Sequence, residues 1–291
     1  MTNQPKVTIR HLDIGDDFPV RLMTAVNLSP ESFYKGSVIK QTEEEVEAQL
    51  SSLASQGTDI FDFGPKSTAP VNIYGEENYV SPKTEIERLK TPLKVFHDLG
   101  LGGKHLISVD TQSAEVADYA LSNGADLVND ISGLRTDPSL AKVVADHDAA
   151  LVVMSARHQP GDVSTLPEVT EVLLESLSLA VEAGVNPAKI IFDPGVGGWI
   201  PERTPSDDYR LILDVPKLKA ELGCPALVAL SRKSFIGKVL DLPPSERLPG
   251  SLAATAVAVL YGADVVRTHD AVETWQAIRV AEEFRKILAM T

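Results

Sequence analysis

The chain has 291 residues, 43% of them hydrophobic, which is enough apolar material to bury a sizeable core without disulfides or a structural metal. Its formal net charge is −14 at pH 7, with an isoelectric point near 4.9, a balance that repels phosphate backbones and anionic bilayers and excludes a general nucleic-acid or membrane binder. A small anionic ligand remains compatible, because a few local cations and helix N-termini set the field inside one cleft. Cys224 is the only cysteine, so neither an intrachain disulfide nor a cysteine-rich metal site is expected. Residues 1–10 are polar and lack the apolar run of a signal peptide, and no segment approaches the length of a membrane span. A cytoplasmic enzyme is the expectation. No linker-like or low-complexity stretch divides residues 1–291, which read as one domain.

Residues 7–18 read as a short hairpin that caps one end of the fold. Eight β-rich runs then follow, at 20–27, 59–64, 105–110, 127–130, 149–155, 189–195, 226–231 and 265–270. Between them lie amphipathic stretches such as 43–56, 114–122, 168–183 and 272–290, with apolar residues at helical spacing. This alternation is that of parallel βαβ units, and eight of them predict a closed α/β structure, a (β/α)8 TIM barrel. A doubly wound open sheet is the competing architecture, but the chain has no Gly-rich dinucleotide loop at a switch point.

In such a barrel the active site lies where strands end and βα-loops begin. Asn27, Asp62, Asp110, Asn129, Asp193, Lys233, Arg267, His269 and Asp270 all fall there. Several carboxylates converging on one cavity are costly unless something polar binds among them, so the clustering itself argues for a ligand. Taken one at a time, Asp110 and Asn129 read equally as helix caps or turn formers, and Asp193-Pro194-Gly195 as a simple turn.

The same strand ends carry a series of motifs in fixed order. Asn27-Leu28-Ser29-Pro30-Glu31-Ser32-Phe33 comes first, then ISVDT at 107–111, VNDISG at 128–133 and FDPG at 192–195. SRKSFIG at 231–237, GSLAAT at 250–255 and VRTHD at 266–270 complete it. In this order, over nearly the whole chain, they resemble the dihydropteroate synthase family. The resemblance implies a transferase that joins an arylamine, p-aminobenzoate, to 6-hydroxymethyl-7,8-dihydropterin diphosphate and releases diphosphate. It further implies that Asp110, Asn129, Asp193, Lys233 and Met154 hold the pterin, whose donor edge suits a carboxylate and whose carbonyl suits a lysine. Asn27, Arg267 and His269 would bind the diphosphate with its Mg²⁺, Asn27 being the metal contact. Asn27, Lys233, Arg267 and His269 are thus the expected catalytic residues. Ser234, Phe33 and Thr68 fall to the arylamine side, and a homodimer formed through carboxyl-terminal helices is implied as well. No spacing such as His-Glu-x-x-His points to zinc.

Three stretches depart from the family pattern. The second loop reads Gly64-Pro65-Lys66-Ser67-Thr68-Ala69-Pro70-Val71, with Lys66 in place of an acid and Ala69 in place of an arginine. After Gly195, the residues Gly197-Gly198-Trp199-Ile200-Pro201-Glu202-Arg203-Thr204 replace a shorter Gly-Phe-Gly-Lys-Thr, with Trp199 read as rim packing. Met154-Ser155-Ala156-Arg157-His158 stands where Met-His-Met-Arg-Gly is usual. These changes keep open a bulkier amine, ribofuranosyl-aminobenzene phosphate of methanopterin-type pathways, with Arg157, Arg203 or Lys66 available for its phosphate. Wording in the first loop similar to archaeal, methanogen-type relatives favours that alternative modestly. A pterin-binding protein without synthase activity, or a methyl-pterin methyltransferase on the same barrel, is the remaining alternative.

Overall fold

Side-chain parity along each short strand decides this architecture. In the computed structural model, which describes residues 5–29, 42–67, 80–288 and 290, strands β1 (Lys6–Ile9) and β2 (Leu12–Gly15) form an antiparallel hairpin. Val7, Ile9, Leu12 and Ile14 face one way and are buried, while Lys6 and Thr8 face solvent. The hairpin therefore has one apolar face that must be covered.

Eight parallel strands supply the cover. They are β3 (Arg21–Asn27), β4 (Ile60–Gly64), β5 (Leu106–Asp110), β6 (Leu127–Asp130), β7 (Ala150–Met154), β8 (Ile190–Asp193), β9 (Leu227–Ala229) and β10 (Val265–Thr268). Their order is β8-β7-β6-β5-β4-β3-β10-β9. A parallel bridge from Phe192 to Ala226, where the Phe192 N–H donates to the Pro225 carbonyl at 3.0 Å, joins the two end strands into a barrel. The expected (β/α)8 barrel and its amino-terminal hairpin are both present.

Ten helices, among the described residues, surround it: α1 (Glu43–Ser55), α2 (Pro82–Asp98), α3 (Ala114–Ser122), α4 (Leu140–Asp146), α5 (Leu166–Glu182), α6 (Pro205–Leu213), α7 (Val215–Leu222), α8 (Ser234–Leu240), α9 (Leu248–Leu260) and α10 (Ala271–Leu288). Their starts have local causes. Hydroxyls of Thr42, Ser81 and Ser113 cap α1, α2 and α3, and capping boxes at Thr165 with Glu168 and at Thr204 with Asp207 open α5 and α6. The capping box explains why α5 begins two residues before the 168 read from periodicity. No described helix is long and apolar enough to cross a membrane.

Parity sorts the strand residues into two sets. Phe61, Phe63, Ile107, Val109, Val128, Leu151, Val153, Phe192, Val228 and Val266 point outward and pack under the helices. Met23, Ile60, Leu106, Leu127, Ala150, Ile191, Leu227 and Val265 point inward and fuse with Val7, Ile9, Leu12 and Ile14 into a second core. The hairpin is thus a plug at the amino-terminal end of the barrel. Two residues further along, the same inward parity reaches Asp62, Ser108, Asn129, Asp193 and Arg267, all beside the opposite mouth. Strand β6 matches its sequence run and β3, β4 and β5 start one residue later than theirs, while β7 to β10 end one or two residues early, where the last residues of the run leave the ladder for the following loop.

A buried salt-bridge cluster locks the plugged end. Lys219 on α7 reaches Asp16 at 2.8 Å and Asp264 at 2.7 Å, and Arg285 on α10 reaches Asp16 at 2.6 Å. Because Ile14 is fully buried between the hairpin and the barrel floor, Ile14→Ala is expected to lower unfolding free energy by about 2–4 kcal/mol, measured by urea titration. A loss under ~0.5 kcal/mol would mean that the hairpin is not part of the cooperative unit.

Candidate active site

Inward parity at the carboxyl ends of the strands brings charged groups together in a nearly dry mouth. Arg267 of β10 donates through Nε to Asp62 of β4 at 2.6 Å and through Nη2 to Asp110 of β5 at 2.8 Å. Asp62, fully buried, also accepts from Ser108 Oγ at 2.5 Å and from Asn129 Nδ2 at 3.3 Å. Asp110 Oδ1 is buried and has no hydrogen-bond partner among the described residues. A buried carboxylate oxygen left bare in this way is an acceptor waiting for a donor.

Across the mouth, Asp193 ends β8 beside Met154 of β7, its register partner. One carboxylate oxygen accepts the Gly195 N–H at 2.7 Å, a contact available because Gly195 turns at φ +72. A Cβ on Gly195 would lie 2.7 Å from Ser155 Oγ, so the DPG turn needs its glycine for space as well as for torsion. Lys233, just after β9, donates to the Val196 carbonyl, and its ammonium stands 5.0 Å over the Trp199 ring. Trp199 in turn packs on Gly161, so its indole is at once rim packing and a face for the lysine.

The charges perturb one another strongly. Burial pushes the Asp110 carboxyl up to about 7, with Arg267 opposing and Asp62, Asp130 and Glu85 reinforcing. Burial also raises Asp193, against the pull of Lys233. It lowers Lys233 to about 8, although Asp193 and Asp208 favour its charge. For Arg267 burial works the other way from its partners, and Asp62 and Asp110 win, so the guanidinium is held charged more firmly than usual. His269 is depressed to about 3 by burial and by Arg267, so at neutral pH it is an uncharged imidazole. Its Nδ1 lies 3.1 Å from Ser231 Oγ.

Two of the polar strand-end residues belong to the scaffold. Asp270 takes Arg232 in a two-point ion pair, Nε to Oδ2 at 2.9 Å and Nη2 to Oδ1 at 2.7 Å. Asp130, outward by parity, accepts from the N–H groups of Ser132 and Leu134 and shapes the loop after β6. Asp62 and Ser108, by contrast, belong to the site although the motifs give them no role. The signal was available in their spacing, since Asp62 shares its parity with Ile60 and Ser108 with Leu106.

Other expected residues fall as follows. Asn27 ends β3 opposite Gly64, and a Cβ at Gly64 would stand in ordinary contact, 3.5 Å, with its amide oxygen. Ser234 accepts the Gly198 N–H at 3.1 Å and so ties α8 to the loop after β8. Phe33, Thr68 and Ala69 lie outside the described residues. The expectation that Arg157 and Arg203 stand ready for a substrate phosphate is corrected. Arg157 pairs with Glu171 at 2.5 Å, and Arg203 is buried against Asp208 at 2.8 Å, with Nη1 on the carbonyls of Gly161 and Val163. Arg203 is 2% exposed, so its guanidinium presents no solvent-facing surface to a ligand, although its Nη2 has no hydrogen-bond partner among the described residues. Lys66 is near Glu85, whose carboxyl is raised by burial and eased back by the lysine's charge.

The pterin-binding enzyme family profile matches residues 23–269 of this chain, a span that takes in all of the barrel strands but the first two residues of β3. The chain belongs to the dihydropteroate synthase family. It is 37% identical over 250 residues to the dihydropteroate synthase of Bacillus subtilis, covering 86% of this chain and 83% of that one. With the dihydropteroate synthase of Synechocystis it shares 37% identity over 269 residues, 90% of this chain and 89% of that one. Among solved structures, a dihydropteroate synthase from Coxiella burnetii in complex with pteroic acid matches with a TM-score of 0.81 at 31% identity, covering 98% of both chains. As in these relatives, the chain is a transferase of folate synthesis.

The electrostatics of this dihydropteroate synthase family member lead to a pH-dependent outcome. Asp110 titrates near 7 when folded and near about 4 when unfolded, so its contribution to stability is fully present below about pH 4 and is lost as pH rises to about 7. Asp110→Asn is therefore expected to narrow the stability difference between pH 5 and pH 8 of the unliganded protein. Melting curves at both pH values check this. An unchanged pH dependence would show that Asp110 is ionised without penalty in the folded chain.

Proposed function

We propose that this chain condenses 6-hydroxymethyl-7,8-dihydropterin diphosphate with p-aminobenzoate, with the pterin held among Asp110, Asn129, Met154, Asp193 and Lys233. The observation that carries this reading is the pairing of unspent acceptors with a desolvated lysine across one mouth. Asp110 Oδ1 is bare, and Asp193 offers the carboxylate oxygen not used by Gly195. The aminopyrimidinone edge of a pterin supplies adjacent N–H donors for carboxylates and a carbonyl for an ammonium. Each proton donor of the ring then replaces a missing hydrogen bond, and this offsets the burial of the carboxylates.

The reaction breaks the bond between the exocyclic CH₂ and the diphosphate oxygen and forms a bond from that carbon to the amine nitrogen, which loses a proton. The electron-rich ring shares the positive charge that develops at the CH₂, so no covalent intermediate with the protein is needed. The chain's work is orientation, exclusion of water and stabilisation of the departing anion. Arg267 and His269 face that anion. As a neutral imidazole in the unliganded site, His269 donates a hydrogen bond, and a bound diphosphate favours its protonation. Arg267, already bridging Asp62 and Asp110, couples the diphosphate end of the site to the pterin end. Asn27, at the end of β3, would hold Mg²⁺ through its amide oxygen, a hard donor suited to that ion. When bound, the ion neutralises charge on the leaving diphosphate. The arylamine side is assigned to Ser234, and by the family resemblance of the loop motifs to Phe33 and Thr68, which lie outside the described residues.

The bulkier phosphate-bearing amine is not favoured, since Arg157 and Arg203 are both engaged elsewhere. Diphosphate release with Mg²⁺ is expected with p-aminobenzoate and not with ribofuranosyl-aminobenzene phosphate or with no amine. Asp193→Asn should raise the pterin dissociation constant by at least about tenfold through loss of a charge-assisted pair. No release with p-aminobenzoate, while dihydropterin still binds, would leave a pterin binder rather than a synthase.

A cytoplasmic homodimer completes the reading. Val280, Phe284, Ile287 and Leu288 form an exposed apolar stripe on α10, each more than half exposed, next to Val257 and Tyr261 of α9. A stripe of this kind on one face suits a two-fold contact with a second copy. Sedimentation should give a dimer for the wild type and a monomer for Phe284→Glu; a monomeric wild type would refute it.

A further inference from the structure

The loop after β8 is one of the three stretches where the sequence departs from the family pattern, and its geometry is held by a buried charge pair that the reaction does not consume. Asp208, in the first turn of α6, is 1% exposed and accepts the Gly197 N–H at 2.7 Å on the oxygen that also meets Arg203 Nε at 2.8 Å. Arg203, 2% exposed, reaches across to the carbonyls of Gly161 and Val163 at 3.2 and 3.1 Å and so ties the loop after β8 to the loop after β7. Between these anchors lie the Val196 carbonyl and the Trp199 ring that hold the Lys233 ammonium. Gly197 closes the arrangement, since a Cβ there would lie 2.8 Å from Lys233 Cδ.

We propose that the Arg203–Asp208 pair is a positioning element for Lys233, setting the place of its ammonium, and hence the affinity for the pterin, without touching substrate. This rests on the assignment of Lys233 to the pterin. The physical argument is one of tolerance. A buried ion pair is weak evidence for stability but strong evidence for a fixed geometry, because each partner left alone is costly. Here the pair shares one oxygen with the backbone N–H of Gly197, which lies directly against the lysine. A donor displaced by about 1 Å from its acceptor loses most of a hydrogen bond. The pair also acts on Lys233 through space. Asp193 and Asp208 favour its charge, while Arg267 and Arg203 oppose it.

The test compares wild type with Asp208→Asn, Arg203→Met and the double variant, whose Asn amide oxygen still accepts from Gly197. Pterin binding and the Michaelis constants for pterin and p-aminobenzoate are measured across pH 6–10, with melting temperature as a control. The expected result is a pterin Michaelis constant raised at least about fivefold in every variant, with that for the amine changed less than about twofold. The basic limb of pterin binding should move down by roughly half a pH unit in Asp208→Asn and up by a similar amount in Arg203→Met, because the two neighbours act on Lys233 with opposite sign. A purely structural pair would not split the shifts in this way. Variants that stay folded with unchanged pterin constants and an unchanged limb would overturn the proposal, as would equal losses for pterin and amine that track melting temperature. If wild type binds no dihydropterin, the assignment of the pterin site fails first; if it binds and the variants match it, only the positioning role fails.

Discussion

Burying carboxylates inside a closed barrel is the constraint on which this site depends. Asp62, Asp110 and Asp193 are all at most 5% exposed and approach one mouth from β4, β5 and β8. Desolvating so many acids would neutralise or unfold them if they faced hydrocarbon alone. Arg267 at the end of β10 and Lys233 just after β9 offset part of that cost, and the backbone N–H of Gly195 and the hydroxyl of Ser108 donate to further oxygens. What is left bare is Asp110 Oδ1, an acceptor with room for a donor from outside the chain. Function and instability thus have the same source, an acceptor that the fold declines to satisfy.

The motifs that recur along the chain divide into those that meet this demand and those that hold the pieces in place. Arg232 sits at φ +56, an uncommon torsion for a residue with a side chain, and is held there from every side. Its backbone N–H donates to Ser251 Oγ at 2.8 Å, its guanidinium clasps Asp270, and Nη1 reaches the carbonyls of Pro244 and Ser245. One residue beyond it is Lys233, and one residue before Asp270 is His269. The SRKSFIG, GSLAAT and VRTHD segments are therefore three parts of a single knot. The strained arginine at its centre places a lysine on one side and an imidazole on the other.

Much of this was legible from residue order. Eight runs with polar carboxyl ends state a parallel barrel and its functional face together, and a half-apolar hairpin at the amino terminus states a plug. Parity could have taken the reading further. Asp62 and Ser108 lie two residues beyond Ile60 and Leu106 on short strands, which assigns them to the interior, whereas Asp130 is one residue out of phase with Leu127 and Asn129. Arg203 and Arg157 were misread as free cations, because a sequence shows charge and not the partner that quenches it. Asp208 and Glu171, which hold them, lie five and fourteen positions away in neighbouring helices, and only the folded geometry reveals the match.

A chain of net charge −14 binding a diphosphate ester looks contradictory until the placement of charge is considered. The acidic surplus is carried largely outside the barrel, for example in Glu43, Glu44 and Glu45 at the start of α1 and in Glu273, Glu282 and Glu283 on α10. At the mouth three internal acids face Arg267 and Lys233, and burial raises the Asp110 carboxyl to about 7, which brings acids and cations close to balance. Low-dielectric walls make these few charges dominate the local potential, while the outer acids are screened by water and salt within about 10 Å. The acidic exterior and the charge at the mouth are therefore independent features. The sign of the whole chain bears on solubility and on which polymers it avoids, and the sign at the strand ends decides what it holds.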